Sequence, residues 1–333
     1  MVKPVKAVTF AEVMDSVDGM ADIDCSNKGL TSLEGCPAKV DGNFNCSGNK
    51  LTTLEGAPRT VKGDFDCSGN LLTTLEYGPV EVEGDYDCSN NQLTTLEYCP
   101  AFVMGDFSCT NNQLTTLQGE VYSTKGTNLA SCLDIIDGDF NCSGNQLTTL
   151  LGSPQIVGGD YDCSNNQLTT LKKCAAVVTG DFFCSGNLLI SLDGAPRKVE
   201  GDFDCSKNKL ASLKGSLKKV YGDFNCSGNE LTSLKGAPEE VKAFDCSNNQ
   251  LTSLKRAPEK VKGNFDCSWN KITSLKSAPK KVKGHFNCSG NQLTTLESGL
   301  KKVDGDFLCA DNASPFTEEQ VRAAYQIQGS FFS

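Results

Sequence analysis

The spacing of the cysteines constrains this chain more than any other feature. Fourteen of its 18 Cys recur every 21 residues, apart from one interval of 33 residues and one of 20. A step of this size kept over many copies is typical of a solenoid, in which each repeat is one coil stacked on the next. The repeating positions are Cys25, Cys46, Cys67, Cys88, Cys109, Cys142, Cys163, Cys184, Cys205, Cys226, Cys246, Cys267, Cys288 and Cys309.

Other residue types keep the same step as the cysteines. An aromatic residue stands two positions before the Cys in 13 of the 14 copies, and Asn stands three positions after it in every copy but the first. Leu or Ile follows at the fifth position and Leu at the eighth, as Leu51 and Leu54 do after Cys46. Because side chains alternate along a strand, Phe65 and Cys67 are expected to point inward and Asp66 outward. The Asn residues are expected to stack and to bond backbone groups of the turns.

The repeat, F-D-C-S-G-N-Q-L-T-T-L, resembles the leucine-rich repeat L-x-x-L-x-L-x-x-N-x-L over residues 22–312. Its continuation L-T-T-L-E-G-A-P is similar to the short, Pro-containing repeats of secreted bacterial effectors, and C-S-x-N-x-L-T-x-L-E-G-A-P to repeats of bacteriophage and bacterial proteins. The resemblance implies a repeat solenoid of about 14 coils, with a parallel β-sheet on the concave face and an irregular convex side. Residues 1–21 and 313–333 are then terminal caps, and residues 118–137 carry an insertion.

Both ends of the chain have the spacing of a helical capping box. Thr9 and Glu12 predict a short helix that ends at about Ser16, and Thr317 and Gln320 predict one that ends at about Gln328. Such helices cover the apolar ends of a solenoid. For the tail at residues 331–332 two interpretations stay open, a docking segment or a disordered terminus.

The repeat cysteines are expected to be buried free thiols of the core. Disulfides between coils and a string of metal ions are the alternatives, but the chain has no C-x-x-C pair and a single His. Cys132 lies in the insertion and is the candidate for a reactive thiol. The insertion itself is either a binding loop or a tolerated surface loop.

Acidic residues dominate the positions that face outward beside each strand. Counting three residues and one residue before the repeat Cys, Asp occupies 17 of 28 positions. Asp is a poor strand residue and like charges on neighbouring strands repel, so some interaction must offset this cost. One explanation is that the charges keep the sheet soluble and that the Asp side chains bond the backbone where the chain enters each strand. A second is a negative face for a basic partner, and a third, which lacks a calcium-loop spacing, is Ca²⁺ binding.

Positive charge is concentrated late in the chain. Residues 207–303 contain 18 Lys and Arg against 8 Asp and Glu, although the whole chain has a net charge of −10. These side chains are expected on an edge or on the convex side, where they are either solvated or in contact with nucleic acid or an acidic protein. The overall negative charge makes direct nucleic-acid binding an unfavoured function.

The sequence therefore favours a non-enzymatic scaffold that binds a protein with a basic surface. Most potential catalytic groups are repeated copies, the single His285 has no identifiable nucleophile partner, and no cofactor or metal motif is present. A phage protein that binds a host polymerase, nuclease or defence protein in the bacterial cytoplasm is the expectation, and a virion or surface adhesion protein is the alternative. The sequence shows no secretory signal and no apolar run long enough to span a membrane, so we expect the protein in the cytoplasm. The candidate partner-binding residues are Asp64, Asp66, Asp85, Asp87, Asp139, Asp160, Asp162, Asp181, Phe183, Asp202, Asp204, Asp223, Trp269 and His285.

Overall fold

A computed structural model describes residues 8–14, 21–100, 102–119, 121–122, 128–129 and 134–333. The chain divides into two compact units, and each unit is a stack of parallel coils. The N-terminal unit is Met1–Gln167 with Lys173–Ala175, and the C-terminal unit is Leu168–Lys172 with Ala176–Ser333.

Each coil contributes one two-residue main strand, formed by the aromatic residue and its successor. Neighbouring main strands are parallel and in register, so that Phe44 faces Phe65 and Phe65 faces Tyr86. The predicted parallel-sheet solenoid is therefore confirmed. In the N-terminal unit the main strands are Ile23–Asp24, Phe44–Asn45, Phe65–Asp66, Tyr86–Asp87, Phe107–Ser108, Phe140–Asn141 and Tyr161–Asp162. In the C-terminal unit they are Phe182–Phe183, Phe203–Asp204, Phe224–Asn225, Phe244–Asp245, Phe265–Asp266, Phe286–Asn287, Phe307–Leu308 and Phe331–Phe332.

A second row of short parallel strands, which we call the flank strands, precedes the main strands and was not predicted from the sequence. In all of them except Gln326–Ile327 the second residue is buried in the core, and the first is exposed or half-exposed, as in Lys39–Val40. The N-terminal unit has Lys39–Val40, Thr60–Val61, Glu81–Val82, Phe102–Val103, Ile135–Ile136 and Ile156–Val157. The C-terminal unit has Val177–Val178, Lys198–Val199, Glu240–Val241, Lys260–Val261, Lys281–Val282, Lys302–Val303 and Gln326–Ile327. Inside the insertion, Val121–Tyr122 and Asn128–Leu129 form an antiparallel pair.

Identical residues stack on one another to form the core of each unit. The rings of Phe203 and Phe224 lie 5.2 Å apart, and those of Phe265 and Phe286 lie 5.4 Å apart. Beside them the repeat thiols are buried, and Cys226 Sγ donates to the carbonyl oxygen of Asp245 at 3.2 Å. Burial raises the pKa of these thiols well above the ordinary value, so they stay protonated.

The described cysteines are all free thiols, as predicted, and the described residues contain no disulfide. Cys36 is only half-buried, whereas the repeat thiols are almost completely shielded from solvent. Cys132 lies outside the described residues, so the prediction of its reactivity stays a prediction.

The stacked asparagines bond the backbone where the chain leaves each main strand. Asn229 Nδ2 donates to the carbonyl oxygens of Cys205 and Cys226 at 3.0 and 3.1 Å, and its Oδ1 accepts the Leu210 N–H at 3.0 Å. This side chain therefore links two coils and satisfies backbone groups that have no strand partner. The predicted role of the Asn positions is confirmed.

Short helices cover the described ends. Helix α1 is Phe10–Val13, with Phe10 buried, and Asp15 and Ser16 of the predicted helix lie outside the described residues. Helix α2 is Glu318–Ala324, with Val321 buried.

The prediction that the second helix continues to Gln328 is wrong. The chain leaves helix α2 for two further strands, Gln326–Ile327 and Phe331–Phe332, which extend the flank and main rows. Arg322 holds this segment, because its guanidinium donates to the carbonyl oxygens of Ile327 and Gly329 at 3.1 Å each. The tail is thus a strand and not a disordered terminus.

Candidate functional site

The residues three positions before each repeat Cys form what we call the entry column, and their side chains bond the next coil. Asp64 Oδ1 accepts the Asp85 N–H at 2.9 Å, and Asp202 Oδ1 accepts the Asp223 N–H at 2.7 Å. Asn43 makes the same bond to the Asp64 N–H at 2.8 Å. His285 also belongs to this column, and its Nδ1 accepts the Asp306 N–H at 3.0 Å.

The residues one position before each repeat Cys form the exit column, and its Asp and Asn side chains cap the turn that follows the strand. Asp66 Oδ1 accepts the Ser68 N–H at 2.9 Å, and Asp204 Oδ1 accepts the Ser206 N–H at 2.8 Å. This bond to the residue two positions on is an Asx turn. Backbone bonds of these two kinds offset the poor strand propensity of Asp, and they hold one carboxylate oxygen of each side chain in a fixed position.

The structure places thirteen of the fourteen candidate residues in these two columns. In the N-terminal unit the entry column contains Asp64, Asp85, Asp139 and Asp160, and the exit column contains Asp66, Asp87 and Asp162. In the C-terminal unit the entry column contains Asp181, Asp202, Asp223 and His285, and the exit column contains Phe183 and Asp204.

The structure does not bring Trp269 into either column. Trp269 lies in the turn after a main strand, is 57% exposed, and packs its ring against the backbone of Gly290. Its φ of 53° is in the left-handed region, where the other coils have Gly or Asn except for Lys207 and Asp311. A bulky side chain in that conformation costs about 1 kcal/mol or more, so the fold alone does not account for a Trp here.

A cleft of about 400 Å³ opens on the main-sheet face of the C-terminal unit, where the entry column is interrupted. Ala243 interrupts the column, in the coil that has a 20-residue step. Its methyl group fills less space than the Asp or Asn side chains of its neighbours, and this leaves room for the cleft. The lining of the cleft includes Phe183, Asp202, Asp204, Asp223, Ala243, Asp245, Asn264 and Asp266.

The bonding of the preceding coil also departs from the pattern of the entry column. Asp223 Oδ1 is buried and has no hydrogen-bond donor among the described residues, although Lys242 Nζ forms an ion pair with it at 3.3 Å. The sequence showed the 20-residue step, but the predictions did not include Ala243, Asp245 or Asp266. The shorter step was the signal from which this part of the site could have been found.

Two exit-column carboxylates lie in environments that disfavour their charge. Burial is the main cause that raises the pKa of Asp245 in the cleft, and bonds from Ser247 oppose it in part. The pKa of Asp87 in the N-terminal unit is raised for the same reason, with Ser89 as the opposing donor. A cation placed beside either carboxylate would favour the ionised form, so both positions gain from a positively charged ligand.

The described part of the chain contains no cluster of His, Cys, Asp and Glu side chains able to hold a metal ion. Within the same residues, no helix has the length and apolar character that a membrane crossing requires.

Comparisons with known proteins support the fold. No protein-family model and no curated protein matches the chain. Among solved structures, YopM from Yersinia enterocolitica WA-314 is similar, with a TM-score of 0.51 and 23% identity over 88% of this chain and 69% of that one. YopM from Yersinia pestis, described as a leucine-rich effector protein, gives a TM-score of 0.51 and 20% identity over 88% and 78% of the two chains. This likeness shows that the chain has the fold of a leucine-rich-repeat solenoid.

Proposed function

We propose that this chain is a non-enzymatic scaffold that binds a protein with a basic surface. The observation that carries the proposal is the cleft in the C-terminal unit, where Phe183 and several carboxylates surround the gap left at Ala243. An aromatic side chain beside a depression is a typical anchor of a protein interface. Carboxylates around it favour Lys or Arg on the partner.

The carboxylates of this face are ordered before any partner arrives. Asp202 and Asp204 are held through Oδ1 by backbone N–H groups of the next coil and of the following turn. A partner therefore loses little side-chain entropy when it binds them, and this favours affinity. Charge steering would also make association fast and dependent on salt.

The repetition of the site argues for binding and against catalysis. A catalytic pair of carboxylates requires two different environments, in which one group is protonated and the other is ionised. Here most Asp side chains repeat the same two backbone bonds along the columns. The leucine-rich effector whose structure is similar supports a scaffold role as well.

Affinity capture from a bacterial lysate tests the proposal, since the sequence resembles phage and bacterial repeats. The test variant is Asp202→Asn/Asp204→Asn/Asp245→Asn, which keeps the acceptor oxygens and removes three charges of the cleft. The matched control is Asp64→Asn/Asp66→Asn/Asp85→Asn, which removes three charges of the N-terminal unit. Asn already occupies both columns, at Asn43 and Asn45, so both variants should fold.

The proposal predicts that a basic protein binds the wild type and the control at low salt, binds less at high salt, and is lost from the cleft variant. Equal capture by all three proteins would contradict the proposed site. Capture of the chain only with assembled virus particles, or only on cell surfaces, would favour the virion or adhesion role instead.

A further inference from the structure

An exposed apolar column lies on the flank of the N-terminal unit, on the strands next to the insertion. Phe102, Ile135 and Ile156 are the outward residues of three successive flank strands and are 55%, 56% and 41% exposed. We call these three residues the apolar column. Ile135 pairs directly with Ile156, and the coils of Phe102 and Ile135 are neighbours through their main strands.

The same flank position has a different character elsewhere in this unit. The three preceding coils have Lys39, Thr60 and Glu81 there. Met104, two residues after Phe102, is 46% exposed and adds to the apolar surface. Exposed apolar side chains at one position of successive coils, where the preceding coils have charged or polar residues, mark an interaction site and not a solvated face.

The surrounding charge defines the kind of partner. Residues 63–167 contain fifteen Asp and Glu but only one basic residue, Lys125. Glu81 and Glu83 are exposed on the coil before Phe102, and Asp137 is exposed beside Ile135. A partner that fits must therefore be apolar at its centre and positively charged at its edges.

The spacing of the apolar column matches one face of an α-helix. The flank strands of Phe102 and Ile135 belong to different sheets, but the main strands of the same two coils pair. Because paired parallel strands lie ~4.8 Å apart, three stacked coils span roughly 10 Å. Residues i, i+4 and i+7 of an α-helix span nearly the same distance, at 1.5 Å per residue. We propose that the apolar column binds a basic amphipathic helix of the partner protein, whose apolar residues contact Phe102, Ile135 and Ile156. This inference rests on the proposed function, since it assigns a surface of the N-terminal unit to the same class of basic protein partner.

A designed peptide tests the inference without knowledge of the partner. The probe is a labelled 18-residue Leu/Lys peptide with its Leu residues on one helical face, and the reference is a scrambled peptide of the same composition. Fluorescence anisotropy would compare both peptides on the full-length chain and on Phe102→Thr/Ile135→Thr/Ile156→Thr. Thr60 already occupies this position, so Thr is compatible with the strand. The control variant is Ile190→Thr, because Ile190 is 66% exposed at a different position of its coil.

We expect the wild type and the control to bind the amphipathic peptide about tenfold more tightly than the scrambled one, which corresponds to about 1.4 kcal/mol. The triple variant should bind both peptides equally, and Phe102→Thr alone should lose part of the preference. A preference that survives in the triple variant, or that is absent from the wild type, would overturn the inference. The Asp202→Asn/Asp204→Asn/Asp245→Asn variant should keep the preference for the amphipathic peptide. The experiment therefore tests the apolar column separately from the proposed binding of a basic protein at the cleft.

Discussion

The entry column makes a specific prediction about the amide of one residue. Asp85 Oδ1 accepts the Asp106 N–H at 2.7 Å, and both side chains are exposed. Replacement of Asp85 by Ala removes the acceptor and leaves this N–H to water. Replacement by Asn removes the charge but keeps an acceptor oxygen, as Asn43 does for Asp64 at 2.8 Å.

The magnitude follows from what such bonds contribute. A side-chain acceptor on an end-of-strand N–H resembles a helix N-cap, which contributes about 1 kcal/mol. Asp85→Ala should therefore open the Asp106 amide about fivefold more often. Asp85→Asn should change it by less than about twofold, because the bond remains.

Hydrogen exchange of the peptide that contains Asp106 measures this directly. The control is Glu83→Ala, which removes one exposed negative charge on the same coil but no acceptor of the column. We expect faster exchange in Asp85→Ala only. If the Asn variant exchanges as fast as the Ala variant, charge and not hydrogen bonding maintains the column, and the structural explanation of the Asp residues fails.

Three further predictions follow from the core and the exit column. Asn229→Ala should lower the free energy of unfolding by about 1–3 kcal/mol in urea denaturation, because it leaves the buried Leu210 N–H without an acceptor; exposed Gln250→Ala should cost under about 0.5 kcal/mol, and equal costs would contradict this. Because burial raises the pKa of Asp245 above its ordinary value of 3.8, the ionised group destabilises the fold at neutral pH and this cost is relieved as the pH falls. Asp245→Asn should therefore gain stability over the wild type near neutral pH, and the gain should shrink on acidification; a gain independent of pH would refute the assignment. Among the described thiols, Cys36 should react first with a thiol reagent in the native state, and rapid modification of the repeat thiols, read by mass spectrometry, would contradict their burial.

The regular part of the fold was predictable because each coil repeats the same few constraints. The aromatic residue, the Cys and the Asn recur at one step, and only a stack of parallel coils buries all of them together. The flank strands were not predicted, because a two-residue segment such as Thr60–Val61 is too short for any hydrophobic period. The predicted end of helix α2 was wrong because contacts outside the helix decide where the next strand begins. Arg322 bonds the carbonyl oxygen of Ile327, and Gln326–Ile327 pairs with the flank strand of the preceding coil.

The candidate site was predictable in position but not in detail. Alternation identified the outward columns, and the eleven acidic candidates lie there together with Phe183 and His285. The backbone bonds of the columns depend on the distance between coils, which a sequence does not display. The cleft was not predicted because it lies where Ala243 replaces the larger Asp or Asn of the neighbouring coils, in the coil whose repeat step is 20 residues and not 21.

The central claim is that a basic partner binds the main-sheet face of the C-terminal unit. Hydrogen exchange of the chain with and without the captured partner tests it most directly, because exchange reports on each coil separately. We predict slower exchange in the peptides that contain Phe183, Asp202–Asp204 and Ala243–Asp245, and a loss of this protection at high salt. Protection confined to the Lys-containing flank strands of the same unit, with these peptides unchanged, would contradict the claim; those strands are Lys198–Val199, Lys260–Val261, Lys281–Val282 and Lys302–Val303.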